Sequence, residues 1–438
     1  MRPVALLLFP QDWELAALPQ LRRKYGEVEW ITEGFDLFKF PQNARLMWFD
    51  PEAFVNKLIK KYRVRGIAAV MSAHEQFGAL CAALLAERLN LPGTPVDAIL
   101  RSQHKAVARE IHAKALPGSV PAFQVYTFGQ DPVSQVSLPY PFFVKPVKAA
   151  YSVLAKKVNT PEELRAHTTF APFEGHIIRR LTKPFNALAK KRLNITIDGD
   201  YMMAEAFMQG AQVNVDGFVR NGEITILGTI DAVMYPGTQA FMRFELPSQI
   251  PTAQVAIIEQ VARRAIEALG FTHSLFNVEL FWDAQTQQAS IIEVNPRVAA
   301  QFADMYEKVH GINLFDVLAD LSFGKPVSFA QHSGRYGAAA SFVYRVFDDT
   351  PKYPPAAAQL AALQNNYSDS IFTPDFKVGA SRRREQKWLG SHRYALLNLG
   401  GADHDDLMSR FNDANGLLDF DSAPVGAKGW LHAIRKGV

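Results

Sequence analysis

Apolar and polar positions alternate along two neighbouring stretches of this chain. In Phe276–Trp282, residues Phe276, Val278, Leu280 and Trp282 fall on one face and Asn277, Glu279 and Phe281 on the other. A polar turn, Asp283–Gln288, leads to Ile291-Ile292-Glu293-Val294-Asn295-Pro296-Arg297. Successive side chains of a strand point to opposite faces, so Glu293 and Asn295 share one, and Arg297 lies just beyond the point where Pro296 ends the ladder. Two such runs joined by a short polar loop predict a hairpin that sets Glu279 beside Glu293.

The pattern changes elsewhere. Val4–Phe9 and Gly66–Met71 are short apolar runs, as expected of parallel strands buried on both faces. Glu75–Asn90 has helical spacing, with Phe77, Leu80, Cys81, Leu84, Leu85 and Leu89 on its stripe and Leu91-Pro92-Gly93 as its stop. Residues 101–116 predict one basic helical segment, opening Arg101-Ser102-Gln103-His104-Lys105-Ala106-Val107-Ala108-Arg109 and ended by Pro117 and Gly118. Pro141–Val147 predicts a strand carrying Lys145, which needs a counter-charge because an unpaired buried ammonium is costly; a phosphate or a structural carboxylate supplies one. Further strands are predicted at 201–208, 212–220 and 223–228, the last two joined by a tight Asn221-Gly222 turn. Pro251–Leu269 is an amphipathic helix stopped by Gly270. A helix through Leu314–Leu321 precedes a boundary at Gly324-Lys325-Pro326, and a strand-like segment, Ala338–Phe347, precedes a Pro- and Ala-rich stretch around 351–363. The expected class is α/β (α+β) in three parts: residues 1–100, 101–328 and 329–438.

Composition narrows the function classes. The 438 residues allow two to four domains, and 48% apolar content suffices for several cores. A net charge of +4, from 47 basic and 43 acidic residues, gives no electrostatic argument for nucleic acid; Arg382-Arg383-Arg384 reads as a solvated face or a local anion contact. The lone Cys81 falls in an apolar helical pattern and reads as a core thiol. No apolar run approaches the length of a membrane span. The apolar part of Met1–Pro10 is too short for a signal peptide and is followed at once by charge, so a buried first strand and a cytoplasmic location are expected. Gly-x-Gly-x-x-Gly after the first strands, a Walker-type phosphate loop, His-Glu-x-x-His and Gly-x-Ser-x-Gly are all lacking. From the strands alone, Glu279, Glu293 and Asn295 are either oxygen ligands for one or two Mg²⁺ ions or polar groups on an edge hairpin.

Taken in order, these elements resemble the ATP-grasp superfamily over roughly residues 1–325. Lys105, in the basic helix, matches a lysine that reaches ATP phosphate, and Lys145, in Phe143-Val144-Lys145-Pro146, the one that contacts the α- and β-phosphates. Glu205-Ala206-Phe207-Met208 resembles the linker that holds adenine through main-chain groups, and Gln212 stands where a ribose-binding acid is usual. Glu279, Glu293 and Asn295 match the magnesium ligands, and Arg297 the arginine facing the transferred phosphate or acyl-phosphate. The resemblance implies an ATP-grasp fold with a Rossmann-like N-terminal domain, an ATP- and Mg²⁺-binding (or Mn²⁺-binding) core, and a small C-terminal α+β domain completing the substrate site. It implies small-molecule carboxylate and amine substrates; dimerisation is common in such folds. The usual chemistry activates a carboxylate as acyl-phosphate for attack by an amine. Departures from the pattern are the glycine-free loop Val147-Lys148-Ala149-Ala150-Tyr151-Ser152-Val153, the uncharged Gln212, and Ala299-Ala300 in place of a small pair that is often glycine. Lys148 and Ser152 are candidates to replace main-chain contacts to phosphate in that loop. The biotin carboxylase branch places an acid four residues past the arginine; here that residue is Gln301, and the resemblance is better to carboxylate–amine ligases such as those joining amino acids. In that branch a Pro-containing loop, here Tyr235-Pro236-Gly237 to Pro251, precedes the long helix, and Arg243 is either a carboxylate contact or a surface cation. Binding of nucleotide without turnover is the non-enzymatic alternative.

Overall fold

The apolar run at the start of the chain forms β1 (Val4–Leu8), which pairs in parallel with β2 (Glu29–Glu33) and β3 (Ile67–Met71) in the order β2-β1-β3. The structure is a computed structural model describing residues 2–37, 41–128, 130–148, 154–168, 172–348, 350, 352–376 and 390–420. The chain divides into two compact units: residues 1–229, 249–303 and 313–329 form the first, and residues 230–248, 304–312 and 330–438 the second.

In the first unit, α1 (Asp12–Lys24), α2 (Pro51–Tyr62) and α3 (Phe77–Leu89) accompany the parallel sheet. Leu80, Leu84, Leu85 and the Cys81 thiol are sealed in its core, and burial pushes that thiol far above its ordinary range. The basic segment at 101–116 is not one helix. It is α4 (Val96–Gln103) followed by α5 (Lys105–Ala115), broken at His104, whose backbone is extended (φ −96°, ψ 91°). The His104 Nδ1 accepts from the Val107 N–H and so caps α5, while the Lys105 N–H donates to Val147 O at 3.0 Å. Lys105 therefore opens a helix, beside the end of the strand carrying Lys145.

A four-stranded antiparallel sheet follows, ordered β4 (Phe123–Tyr126), β7 (Met202–Ala206), β5 (Phe142–Pro146), β6 (Lys156–Val158). The remaining strands of this unit are β8 (Ala211–Arg220), the start of β9 (Glu223–Met234), β11 (His273–Asp283) and β12 (Gln288–Asn295), in the order β12-β11-β8-β9. Asn221 and Gly222 both adopt positive φ (51° and 83°), as the tight turn between β8 and β9 requires. The apolar face of this sheet, including Val213, Val215, Val278, Leu280, Trp282, Ile291 and Val294, packs on Ile258, Ala262, Ile266 and Leu269 of α9 (Thr252–Leu269). Each Val, Leu or Ile side chain among them contributes about 1.5–3 kcal/mol on burial. α11 (Leu314–Ser322), N-capped by Asn313, also belongs to this unit.

In the second unit the end of β9 pairs with β10 (Phe241–Leu246), then β13 (Ala338–Val346), β15 (His392–Gly401) and β14 (Ile371–Pro374), all antiparallel. The segment read as a loop between Tyr235 and Pro251 thus contains a strand, because Phe241–Leu246 finds pairing partners on both sides. α10 (Ala303–His310), α12 (Ala357–Asn366) and α13 (His404–Leu418) accompany these strands, while α6 (Pro132–Gln135), α7 (Pro161–Thr168) and α8 (Pro172–Leu193) belong to the first unit; α12 occupies part of the Pro- and Ala-rich stretch. Residues 149–153, including Ser152, and Arg382-Arg383-Arg384 lie outside the described residues.

Candidate active site

The polar face of the β8–β11–β12 sheet is a small grid. Register aligns Asp216, Asn277 and Asn295 in one row across the three strands, and Asn214, Glu279 and Glu293 in the next. Asn214, Asp216, Asn277 and Asn295 are all buried. Buried polar groups must find partners, and here they find one another. The Asn295 Nδ2 donates to Glu279 Oε1 at 3.1 Å and to Asn277 Oδ1 at 3.2 Å; the Asn277 Nδ2 donates to Asp216 Oδ1 at 3.1 Å and Asn214 Oδ1 at 3.3 Å. The Gln212 Nε2 reaches Glu279 Oε2 at 3.5 Å.

Three lysines converge near this grid. Lys105 Nζ lies 3.2 Å from Glu293. Lys145 Nζ lies 2.7 Å from Glu205 and 3.3 Å from Ile292 O. Lys148 donates to Gln103 Oε1 at 3.1 Å, and the Gln103 amide in turn donates to the main-chain oxygens of Glu75 and Gln76. Arg297 Nε lies 3.3 Å from the Glu75 carboxylate.

Electrostatics separate the two glutamates. Burial, with the Glu293 charge beside it, pushes the Glu279 carboxyl well above the ordinary carboxylate range. Burial works against charge on Glu293 too, but Lys105 and Lys145 outweigh it and hold that carboxyl well below the ordinary range. Burial opposes a charge on Lys105, yet Glu293 and Glu75 raise its pKa above the usual lysine value. Burial lowers Lys148 to about 8. His74, buried and facing the charge of Arg297, is lowered to about 4 and is neutral at pH 7.

The structure brings Lys105, Lys145, Glu279, Glu293 and Asn295 together, with Gln212 at one end. Glu205 stands behind Lys145: its carboxylate is the structural counter-charge of that lysine and also pairs with Arg109. The Ala206 N–H is engaged by Ala122 O at 2.8 Å, and Phe207 and Met208 lie half-buried just past β7. Arg243 belongs to the second unit and pairs with the buried Glu245, so it is not a plain surface cation. Sequence reasoning did not single out Asn214, Asp216, Asn277, Glu75, Gln103 or Arg109 as site residues. The alternation Gln212-Val213-Asn214-Val215-Asp216 was the available signal for the β8 members; Glu75 meets Arg297 only through a contact 222 residues apart in sequence.

The donor set fits a hard divalent cation: two carboxylates and an amide on adjacent strands, in a face where burial and the neighbouring Glu293 charge disfavour the Glu279 anion. The lysines suit a polyphosphate beside that cation.

Comparisons with known proteins agree with this architecture. Residues 138–305 match the family model described as the ATP-grasp domain. Among solved structures, an L-amino acid ligase from Bacillus licheniformis superposes with a TM-score of 0.68 at 15% identity, covering 95% of this chain and 98% of that one. A biotin carboxylase from Campylobacter jejuni gives 0.61 at 14% identity, covering 94% and 91%. A carboxyaminoimidazole ribonucleotide synthase from Aspergillus clavatus, complexed with ATP, gives 0.63 at 13% identity, covering 95% and 98%. No curated protein sequence matches. The fold is the ATP-grasp fold, with an N-terminal parallel sheet followed by antiparallel sheets.

Proposed function

We propose that this chain, built on the ATP-grasp fold, is an ATP-dependent carboxylate–amine ligase that forms an amide bond through an acyl-phosphate and releases ADP and phosphate. The observation that carries the reading is the half-buried Glu279–Glu293–Asn295 face flanked by Lys105 and Lys145, with Arg297 two residues past Asn295. Glu279, Glu293 and Asn295 would hold Mg²⁺ or Mn²⁺, which neutralises phosphate oxygens when bound. Lys105 and Lys145 supply fixed positive charge to the phosphates, and the main chain of Glu205-Ala206-Phe207-Met208, with Gln212, would line the nucleoside.

The substrate carboxylate oxygen attacks the γ-phosphorus, the bond to the β–γ bridging oxygen breaks, and ADP leaves. The amine then attacks the acyl carbon, the carbon–oxygen bond to phosphate breaks, and phosphate and a proton depart. No protein nucleophile takes part; the chain's task is positioning and charge stabilisation. Arg297 is the group for the acyl-phosphate, kept in charge balance by Glu75 before an anion arrives. Gln301 has no carboxylate with which to deprotonate bicarbonate, which favours an amine acceptor over carboxylation. The similarity to the L-amino acid ligase makes amino acids the first substrates to try.

The test is ADP and phosphate release from purified protein with Mg²⁺, ATP and pooled amino acids. Release that needs both a carboxylate and an amine supports the ligase. Release driven by bicarbonate and free biotin supports the carboxylase instead, and ATP binding without substrate-dependent turnover overturns catalysis.

A further inference from the structure

The hairpin carrying Glu279 and Glu293 is not regular. Glu279 pairs with Glu293, but Leu280 pairs with Ile291, so Ile292 is an extra residue in β12. The extra residue changes which way the strand faces. Ile291 and Leu280 are both fully buried against α9, whereas Glu293 sits on the opposite, polar face. In an unbroken strand residues 291 and 293 would share a face. Either Glu293 would enter the apolar core or Ile291 would enter the polar grid. The bulge at Ile292 lets both sit correctly.

A bulge leaves main-chain groups outside the ladder, and among the described residues β12 is the outer strand of this sheet. Those groups are held by a side chain. Arg109 Nη1 donates to Ile291 O at 2.6 Å and Nη2 to Ile292 O at 2.8 Å, while its Nε donates to Glu205. Lys145 adds a donor to Ile292 O, and the Ile291 N–H donates to Ser119 O at 2.9 Å. The Arg109 side chain is only 2% exposed. Its planar fork reaches two successive carbonyls, which a lysine ammonium cannot do in the same way.

We infer that Arg109 is a positioning residue: it fixes the bulge at Ile292 and thereby aims Glu293 into the metal-binding face. The inference rests on the reading of Glu279, Glu293 and Asn295 as ligands of the nucleotide's divalent cation. Arg109 acts on the strand just before Glu293, through Ile291 O and Ile292 O.

The experiment is binding of a non-hydrolysable ATP analogue, measured by calorimetry with and without a Mg²⁺ titration, on the wild type, Arg109→Lys and Lys145→Ala. Arg109→Lys keeps the charge beside Glu205 but loses the paired carbonyl contacts. Its Mg²⁺-free affinity is expected to stay within about twofold, while the Mg²⁺ needed for half-maximal enhancement rises about tenfold or more, the usual scale for losing a group that orients a metal ligand. Amide exchange at residues 291–293 is expected to quicken in Arg109→Lys more than in Lys145→Ala. An Arg109→Lys protein with wild-type Mg²⁺ dependence overturns the inference, as does equal loss of affinity with and without Mg²⁺. If the lysine variant fails to fold, the same titration on Arg109→Gln decides between these outcomes, and unchanged exchange at 291–293 there also counts against it. A wild-type protein whose analogue binding ignores Mg²⁺ would instead remove the metal-site reading itself.

Discussion

Two charge clusters lie side by side in the first unit, one buried and one half-buried, and they differ in how completely they are satisfied. Arg109, Glu205 and Lys145 form one: the carboxylate has a cation on each side, and the cations also donate to Ile291 O and Ile292 O. Burial disfavours the Glu205 charge, but Arg109 and Lys145 more than compensate and lower its carboxyl below the ordinary range. Glu279 and Glu293 form the other, two carboxylates side by side with one lysine in contact. Arg109, Glu205 and Lys145 are at most 7% exposed, whereas the Glu293 side chain is 26% exposed. In the first cluster each charge meets an opposite one; in the second two carboxylates share one lysine, and on the proposed reading a divalent cation supplies the rest. A buried ion pair is weak evidence for stability, since desolvation offsets attraction, but removing one partner from it is costly.

That contrast can be broken most strongly in the first cluster. Glu205→Gln leaves two buried cations facing a neutral amide and is expected to cost about 3–5 kcal/mol in urea unfolding. Glu293→Gln should do the reverse: stability changes by about 1 kcal/mol or less, because relief of repulsion with Glu279 offsets the loss of the Lys105 contact, while Mg²⁺-dependent ADP release falls roughly 10²–10³-fold. Near wild-type turnover in that variant would refute the metal assignment.

The first cluster's charge also reaches His112, on α5 one turn from Arg109. Burial, with Arg109 adding to it, lowers the His112 pKa to about 4, and its Nε2 lies 3.3 Å from Ala265 O. The unfolded chain, with an ordinary histidine near 6.5, binds the proton first, so stability should fall as pH drops from 6.5 towards 4, by up to about 3 kcal/mol from this residue. Unfolding of wild type and His112→Gln across that range should show the slope lessened in the variant. The smallest effect belongs to the apolar face: Ile291→Val should cost about 0.5–1.5 kcal/mol and leave the Mg²⁺ dependence unchanged.

Much of this was written in alternation. Phe276–Trp282 and the Glu293-Val294-Asn295 triplet gave away the hairpin, its buried face and the Glu279–Glu293 pairing, because a period of two has only one way to bury its apolar half. The doublet Ile291-Ile292 breaks that period and was a legible sign of the bulge. Other features depend on contacts the local pattern does not encode. The break at His104 has no glycine or proline to announce it; it follows from an imidazole that caps α5 while the Lys105 N–H turns to Val147. Arg109 is one basic residue among several in the sequence, and only the reach of its side chain to Glu205 in β7 and Ile291 in β12 gives it a distinct task.

Ile292 has a consequence for how this strand can evolve. Its place is defined by its main chain, since the carbonyl is used and the side chain is only half-buried. Many residue types can therefore stand there, and a substitution scan would score the position as permissive. Deleting it is another matter, because every residue on one side of the gap would exchange inside for outside at once. The site is protected less by the identity of residue 292 than by the count of residues between 291 and 293, so a one-residue deletion there is a far larger genetic step than any replacement.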